Sequence, residues 1–184
     1  SLKKEIKKKA KFFLFDPNPN LEIVDFKYHK LAFSNDKRVK KYYLNNFFPS
    51  SGGSLNTIHM KDKLWNFTRK LVTGNLKKQW NSFDVNTDTI DNYCKDNGID
   101  CIDILKIDTE GSEIEVLEGA KNMLNKTSII LIEVLDEKKK FKEKYQKVID
   151  ILEKNYNFNK ALEKRIWSLG TLSNMQAMDI LFKK

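Results

Sequence analysis

The run Ile104-Leu105-Lys106-Ile107-Asp108-Thr109-Glu110-Gly111-Ser112-Glu113 changes period within ten residues. It begins as an apolar strand from Cys101, stops at Asp108 and turns through Gly111. Ile114, Leu117, Lys121 and Leu124 then recur at helical spacing. Ser112 and Glu115 stand at capping-box spacing. Glu110 and Glu113 fall in the first turn, where the helix dipole favours carboxylates. The next run, Ser128 to Val134, is apolar on both faces, as strands of helix-covered parallel sheets are. Strand, helix and strand in succession predict an α/β fold.

Upstream, Phe12-Phe13-Leu14-Phe15 is a buried strand halted by Asp16-Pro17-Asn18-Pro19. Residues 26–33 form a second strand that turns at Ser34-Asn35-Asp36. Val39 to Leu44 is another, followed by a Ser/Gly loop around Gly52 and Gly53. Met60 to Val72 carries a helical pattern, and Phe83 to Thr89 alternates like an edge strand. A short helix over 88–97 closes at Gly98. Downstream, a lysine-laced helix turns Tyr145, Val148 and Leu152 inward. Residues 158–182 read as two strands. The expectation is a single domain over 1–184, with 37–88 an inserted loop, helix and strand segment.

The 184 residues suit one domain, and 40% hydrophobic content excludes a disordered or fibrous chain. No apolar run nears the ~20 residues that span a bilayer, and the Lys-rich start lacks the apolar core of a signal peptide. Residues 3–11 read as an amphipathic helix outside the sheet. The net charge of +9 invites a nucleic-acid partner, yet only three of the 34 basic residues are arginine, against 18 asparagines. Phosphate and base recognition favours arginine forks, so the lysines read as a solvated surface and no nucleic-acid partner is expected. Cys94 and Cys101 lack metal-site spacing, and His29 and His59 stand alone. Both thiols read as reduced and structural in a cytoplasmic protein.

Three strands end in an acid: Asp16, Asp108 and Glu133. Ligands of open α/β sheets bind at such strand ends. An acid ending the second strand of a nucleotide-binding half accepts ribose hydroxyls, or it forms an Asx turn. Asp108 and Glu110 either line a site or cap the next helix.

The run from Ile104 to Glu113, followed by Val116-Leu117-Glu118-Gly119-Ala120, resembles the signature of the FkbM family of S-adenosylmethionine-dependent methyltransferases. Phe15-Asp16-Pro17-Asn18-Pro19 is similar to the motif after that family's second strand, with Asp where Glu is commoner. Ala32-Phe33-Ser34-Asn35 and Ile130-Leu131-Ile132-Glu133-Val134 resemble the ends of its third and fifth strands. The resemblance implies a Rossmann-like class I methyltransferase sheet, seven strands, mostly parallel with an antiparallel C-terminal strand. It implies methyl transfer from S-adenosylmethionine to a hydroxyl of a sugar or small molecule. Asp16, with Asn18 beside it, would hold the ribose, and Ser34 and Asn35 the adenine. Lys106, Asp108 and Glu133 would form the catalytic end, with Asp108 the first choice as base and Glu133 the second. Glu110 and Glu113 would serve substrate or structure. No metal is assigned, although paired carboxylates could hold a divalent cation. The Ser50–Ser54 loop is either a lid or a plain surface loop.

The family's first strand and its Gly-Ala-Asn-x-Gly loop are missing from these residues, and no G-x-G occurs. That strand would lie between the strands ending at Asp16 and Asp108, leaving two edges open. The polypeptide extends upstream, another element fills the gap, or the chain is a remnant that binds the cofactor weakly. The alternative function is a catalytically impaired domain acting in protein interaction or as a homo-oligomer through the open edge.

Overall fold

The computed structural model describes residues 10–21, 28–45, 53–57, 80–166 and 174–184. The helical pattern at 60–72, the Lys-rich start and most of the proposed lid lie outside them. The described strands are β1 (Leu14–Phe15), β2 (Tyr28–His29), β3 (Ala32–Phe33), β4 (Val39–Asn45), β5 (Trp80–Asp88), β6 (Ile102–Ile107), β7 (Thr127–Glu137), β8 (Asn159–Ile166) and β9 (Met175–Lys183). The helices are α1 (Ile90–Asp96), α2 (Glu113–Glu118), α3 (Lys121–Asn125) and α4 (Lys138–Ile149), which runs on as a π-helical turn over Asp150–Asn155. The α/β expectation holds.

The strands form mixed sheets in the orders β1-β2, β3-β5-β4 and β6-β7-β9-β8. In the last, β6 and β7 are parallel while β9 runs against both β7 and β8. The expected antiparallel C-terminal strand is therefore β9. Strand β4 is also antiparallel, to β5, so the sheets are less parallel than expected. Strand β5 is central in its sheet, not an edge; its alternation reflects one solvated face. One continuous seven-stranded sheet is not formed by the described residues. Among them, β1 pairs only with β2 and β6 only with β7, so the open edges fall where the sequence places its gap.

One face of the four-stranded sheet is the core. Ile130, Ile132, Val134, Ile180 and Phe182 are fully buried there, packed with Leu117, Leu124 and Val148 of the covering helices. Two short helices replace the single helix expected after Gly111, because the chain turns at Gly119-Ala120. A β-carbon at Gly119 would collide with the Ser34 carbonyl oxygen. Gly119 thus lets α2 approach the end of β3, and its own carbonyl accepts the Asp91 N–H at 3.0 Å. Asp91 in turn caps α3 through the Asn122 and Met123 N–H groups. Helix α1 starts on Thr89, whose hydroxyl accepts Asn92 N–H, and ends before Gly98 at φ 61°, as the spacing predicts. The capping box at Ser112 does not form: no side-chain bond caps α2.

Glu113 is instead fully buried and paired with Lys144 of α4 at 2.5 Å. Its Oε1 accepts Gly111 N–H at 2.7 Å and the Thr109 hydroxyl at 3.3 Å. Lys144 Nζ donates to the Gly111 and Leu135 carbonyls at 2.7 and 2.9 Å. Removing one partner would strand a buried charge. Glu113→Ala is expected to cost about 3–5 kcal/mol, measured by urea denaturation; a loss under about 1 kcal/mol would show the pair to be dispensable.

Candidate active site

The turn that Glu113 and Lys144 hold is strained. Glu110 has φ 52° and Gly111 φ 113°, and a left-handed non-glycine residue is costly unless its surroundings enforce it. The enforcement comes from two sides. Glu113 and Lys144 clamp Gly111 from below. Ser54 donates its hydroxyl to the Glu110 carbonyl at 2.8 Å, and Asn56 Nδ2 donates to the Gly111 carbonyl at 3.3 Å. Ser54 is itself bridged to Tyr43 of β4. The described end of the Ser50–Ser54 loop is therefore docked onto this turn.

A row of charged residues crosses the four-stranded sheet level with the end of β6; Glu133, expected to end its strand, lies inside β7, which continues to Glu137. Ile107 pairs with Ile132, so Asp108 follows next to Glu133. Glu133 stands opposite Asp179, and Asp179 opposite Lys164. Directly opposed residues share a face. That face is turned away from the helix-covered core, and Glu133 is half-buried on it. Lys106 pairs with Asp108 at 2.9 Å.

The electrostatics follow from this crowding. Burial first, then the negative charges of Asp108, Glu110 and Asp179 and a hydrogen bond with Asp108, push the Glu133 carboxyl up to about 8. Its hydrogen bond with Asp108 draws Lys106 further above its ordinary range against partial burial, helped by Glu133 and Asp179. The native site thus holds a proton on Glu133 that an unfolded chain would release near the ordinary 4.5. The folded state binds more protons between these values, so this group weakens folding as pH rises from 4.5 to about 8.

At the other side of the gap, Asp16 Oδ1 accepts Asn18 N–H at 2.8 Å, an Asx turn. Burial raises its carboxyl above the ordinary range against that bond. Asn18 is buried and accepts Asn20 N–H at 2.9 Å. Tyr42 of β4 connects the two sides. Burial, then the charges of Asp16 and Glu110, push its phenol above the ordinary range, and a β-carbon at Gly53 would collide with its hydroxyl.

The structure thus brings Lys106, Asp108, Glu110 and Glu133 together, with Asp16 linked to Glu110 through Tyr42. Ser34 and Asn35 sit elsewhere in the contact network. Ser34 is buried, its hydroxyl accepting Lys40 Nζ at 2.6 Å, and Asn35 donates to Glu118 Oε2 at 3.1 Å. Glu113 points into the protein. Sequence reading overlooked Tyr42 and Asp179. Nothing distinguishes Tyr42 from other strand tyrosines, but an acid inside the apolar Met178-Asp179-Ile180-Leu181 was a usable signal. Among the described residues, no group of three or more His, Cys, Asp or Glu side chains is arranged to hold a metal ion. Cys94 is a free thiol in the core; Cys101 is free and exposed, so it does not pack as expected. No described helix is long and apolar enough to cross a membrane.

Two comparisons bear on this arrangement. Residues 2–160 match the model of the methyltransferase FkbM domain. The chain is also 27% identical, over 150 aligned residues, to a protein of Sinorhizobium fredii named 2-O-methyltransferase NoeI. That alignment covers 72% of this chain and 57% of the relative, so the chain spans little more than half of the relative's length. No solved structure matches significantly. With the family model covering most of its length, the chain belongs to the FkbM methyltransferase domain family.

Proposed function

We propose that the protein is an S-adenosylmethionine-dependent O-methyltransferase acting on a hydroxyl of a sugar or small molecule, in the cytoplasm, on a Rossmann-like class I sheet. The observation that carries this reading is the half-buried Glu133 set in a row of carboxylates beside the end of β6, in a chain of a methyltransferase family. The order β6-β7-β9-β8, with β9 reversed, supports the sheet assignment. The relative's name supports an oxygen acceptor.

The fit to the cofactor is best at β1. A half-buried carboxylate with one oxygen in an Asx turn suits a ribose diol, since an ionised carboxylate is an acceptor only. Ser34 and Asn35 would lie toward the adenine. When bound, S-adenosylmethionine supplies an electrophilic methyl group. The chain's task is then to bind the acceptor hydroxyl and take its proton as the oxygen–methyl bond forms. A base works best when its pKa lies near the working pH. Glu133 meets that condition, whereas Asp108 is engaged with Lys106. Glu133 therefore takes the role of base, and Asp108 shares the proton it receives before release to water. Lys106 keeps the row from carrying uncompensated negative charge.

Calorimetry on the full-length protein should show S-adenosylmethionine binding, weakened by about 10–100-fold in Asp16→Ala through loss of a charge-assisted bond. No binding by the full-length wild type would overturn the reading. Glu133→Gln is expected to lower turnover by roughly 10²–10⁴. Because the ionised form is the active one, wild-type kcat/KM should rise with pH through about 8 and then level off. A profile flat across that range would remove Glu133 as base.

A second reading, a catalytically impaired domain that pairs with another copy, draws support from β6. Ile104 is 66% exposed on that strand, whose second edge is unpaired among the described residues. Light scattering showing a stable dimer, together with absent S-adenosylmethionine binding, would favour it; a monomer would exclude it.

A further inference from the structure

The ladder between β7 and β9 contains one feature that packing does not require. Leu131 stands opposite Leu181, and Leu135 opposite Ala177. Between these apolar pairs, on the same face, Glu133 stands opposite Asp179. Two like charges directly opposed across strands are destabilising, and apolar pairs on both sides thin the water that would screen them. A leucine or alanine at 179 would extend the apolar ladder. Asp179 also lies beyond residues 2–160, the part matched by the family model.

We propose that Asp179 is a positioning residue for the base: its carboxylate, directly opposite Glu133 across β7 and β9, shapes the charge environment in which Glu133 works. This rests on the reading of Glu133 as base. The charged groups facing Glu133 come from three elements. Strand β6 and its end supply Lys106 and Asp108, the following turn supplies Glu110, and β9 supplies Asp179. Lys164 of β8 lies beyond Asp179 in the same row. The opposite sheet face, under α4, is apolar at Ile132, Val134 and Ile180. Asp108 carries Lys106 as its counter-ion at 2.9 Å, which offsets part of its charge. Asp179 has no such close ion pair among the described residues, and its charge adds to the larger effects of burial, Asp108 and Glu110 on Glu133. In the cycle, the resting proton leaves Glu133 for water, the ionised carboxylate accepts the acceptor's hydroxyl proton, and that proton is released in turn. Asp179 adds to the resistance against that first loss and never touches the reacting atoms.

The test is a carbon-13 NMR titration of side-chain carboxyls in the full-length protein, with Glu133 assigned through Glu133→Gln. Asp179→Asn keeps the shape and removes the charge. It is expected to lower the Glu133 midpoint by about one pH unit and to shift the pH profile of kcat/KM down by the same amount. Asp179→Glu keeps the charge and is expected to leave the midpoint within about 0.3 unit of wild type; it also separates charge from packing if the Asn variant folds poorly. An unmoved midpoint in Asp179→Asn, or equal shifts in both variants, would overturn the proposal. If the midpoint falls as expected but Glu133→Gln retains full methyl transfer, the coupling stands and the assignment of Glu133 as base fails.

Discussion

The buried pair of Glu113 and Lys144 is the constraint on which the site depends. Both side chains are almost entirely shielded from water, and neither could be there without the other. Between them they satisfy the N–H and the carbonyl of Gly111, the Thr109 hydroxyl and the Leu135 carbonyl. Four polar groups of two separate segments, the turn after β6 and strand β7, are thereby fixed to one charge pair. The consequence is geometric. The chain leaving β6 cannot relax Glu110 out of its left-handed conformation, so Asp108 and Glu110 stay on the rim of the sheet, beside Glu133, rather than swinging into solvent.

The rim is arranged at a cost. Three carboxylates follow one another across β6, β7 and β9, with lysines only at the flanks. A fold selected for stability alone would not bring them together, because like charges so placed repel. The apolar core under α4 supplies the stability that this arrangement costs, while the buried ion pair fixes its geometry. Gly119 belongs to the same economy of space. By omitting a β-carbon it brings the end of α2 against Ser34.

Much of this was legible in the residues. The change of period at Asp108 located β6, α2 and β7, since buried strands and amphipathic helices need different spacings of apolar side chains. Gly98 marked the end of α1, because a left-handed residue closes a helix most cheaply when it is glycine. Asp16 and Asp108 were visible for the same reason: a charge terminating an apolar run stands out, whereas Glu133 interrupts β7 without ending it. Other features were misread. Ser112 and Glu115 have the spacing of a capping box, but Glu113 is drawn inward by Lys144, thirty-one positions away, and no local rule anticipates that. The single helix expected over 114–124 is broken at Gly119, where tertiary contact with Ser34 outweighs helical spacing. Strand β5 alternates like an edge strand yet is paired on both sides, because alternation reports which face is wet and not how many neighbours a strand has.

By itself, then, the sequence determined the α/β class, the family signature from Ile104 to Ala120, and the chemical types available at the strand ends, because these depend on local periodicity and composition. Tertiary structure alone decided which of those groups act on one another. It turned Glu113 into a buried clamp, set Tyr42 between Asp16 and Glu110, and opposed Asp179 to Glu133. The physical reason is that burial and charge–charge coupling depend on distance in space. Glu133 and Asp179 are forty-six positions apart in the chain and directly opposite in the sheet, and only the register of β9 on β7 brings one carboxylate within reach of the other.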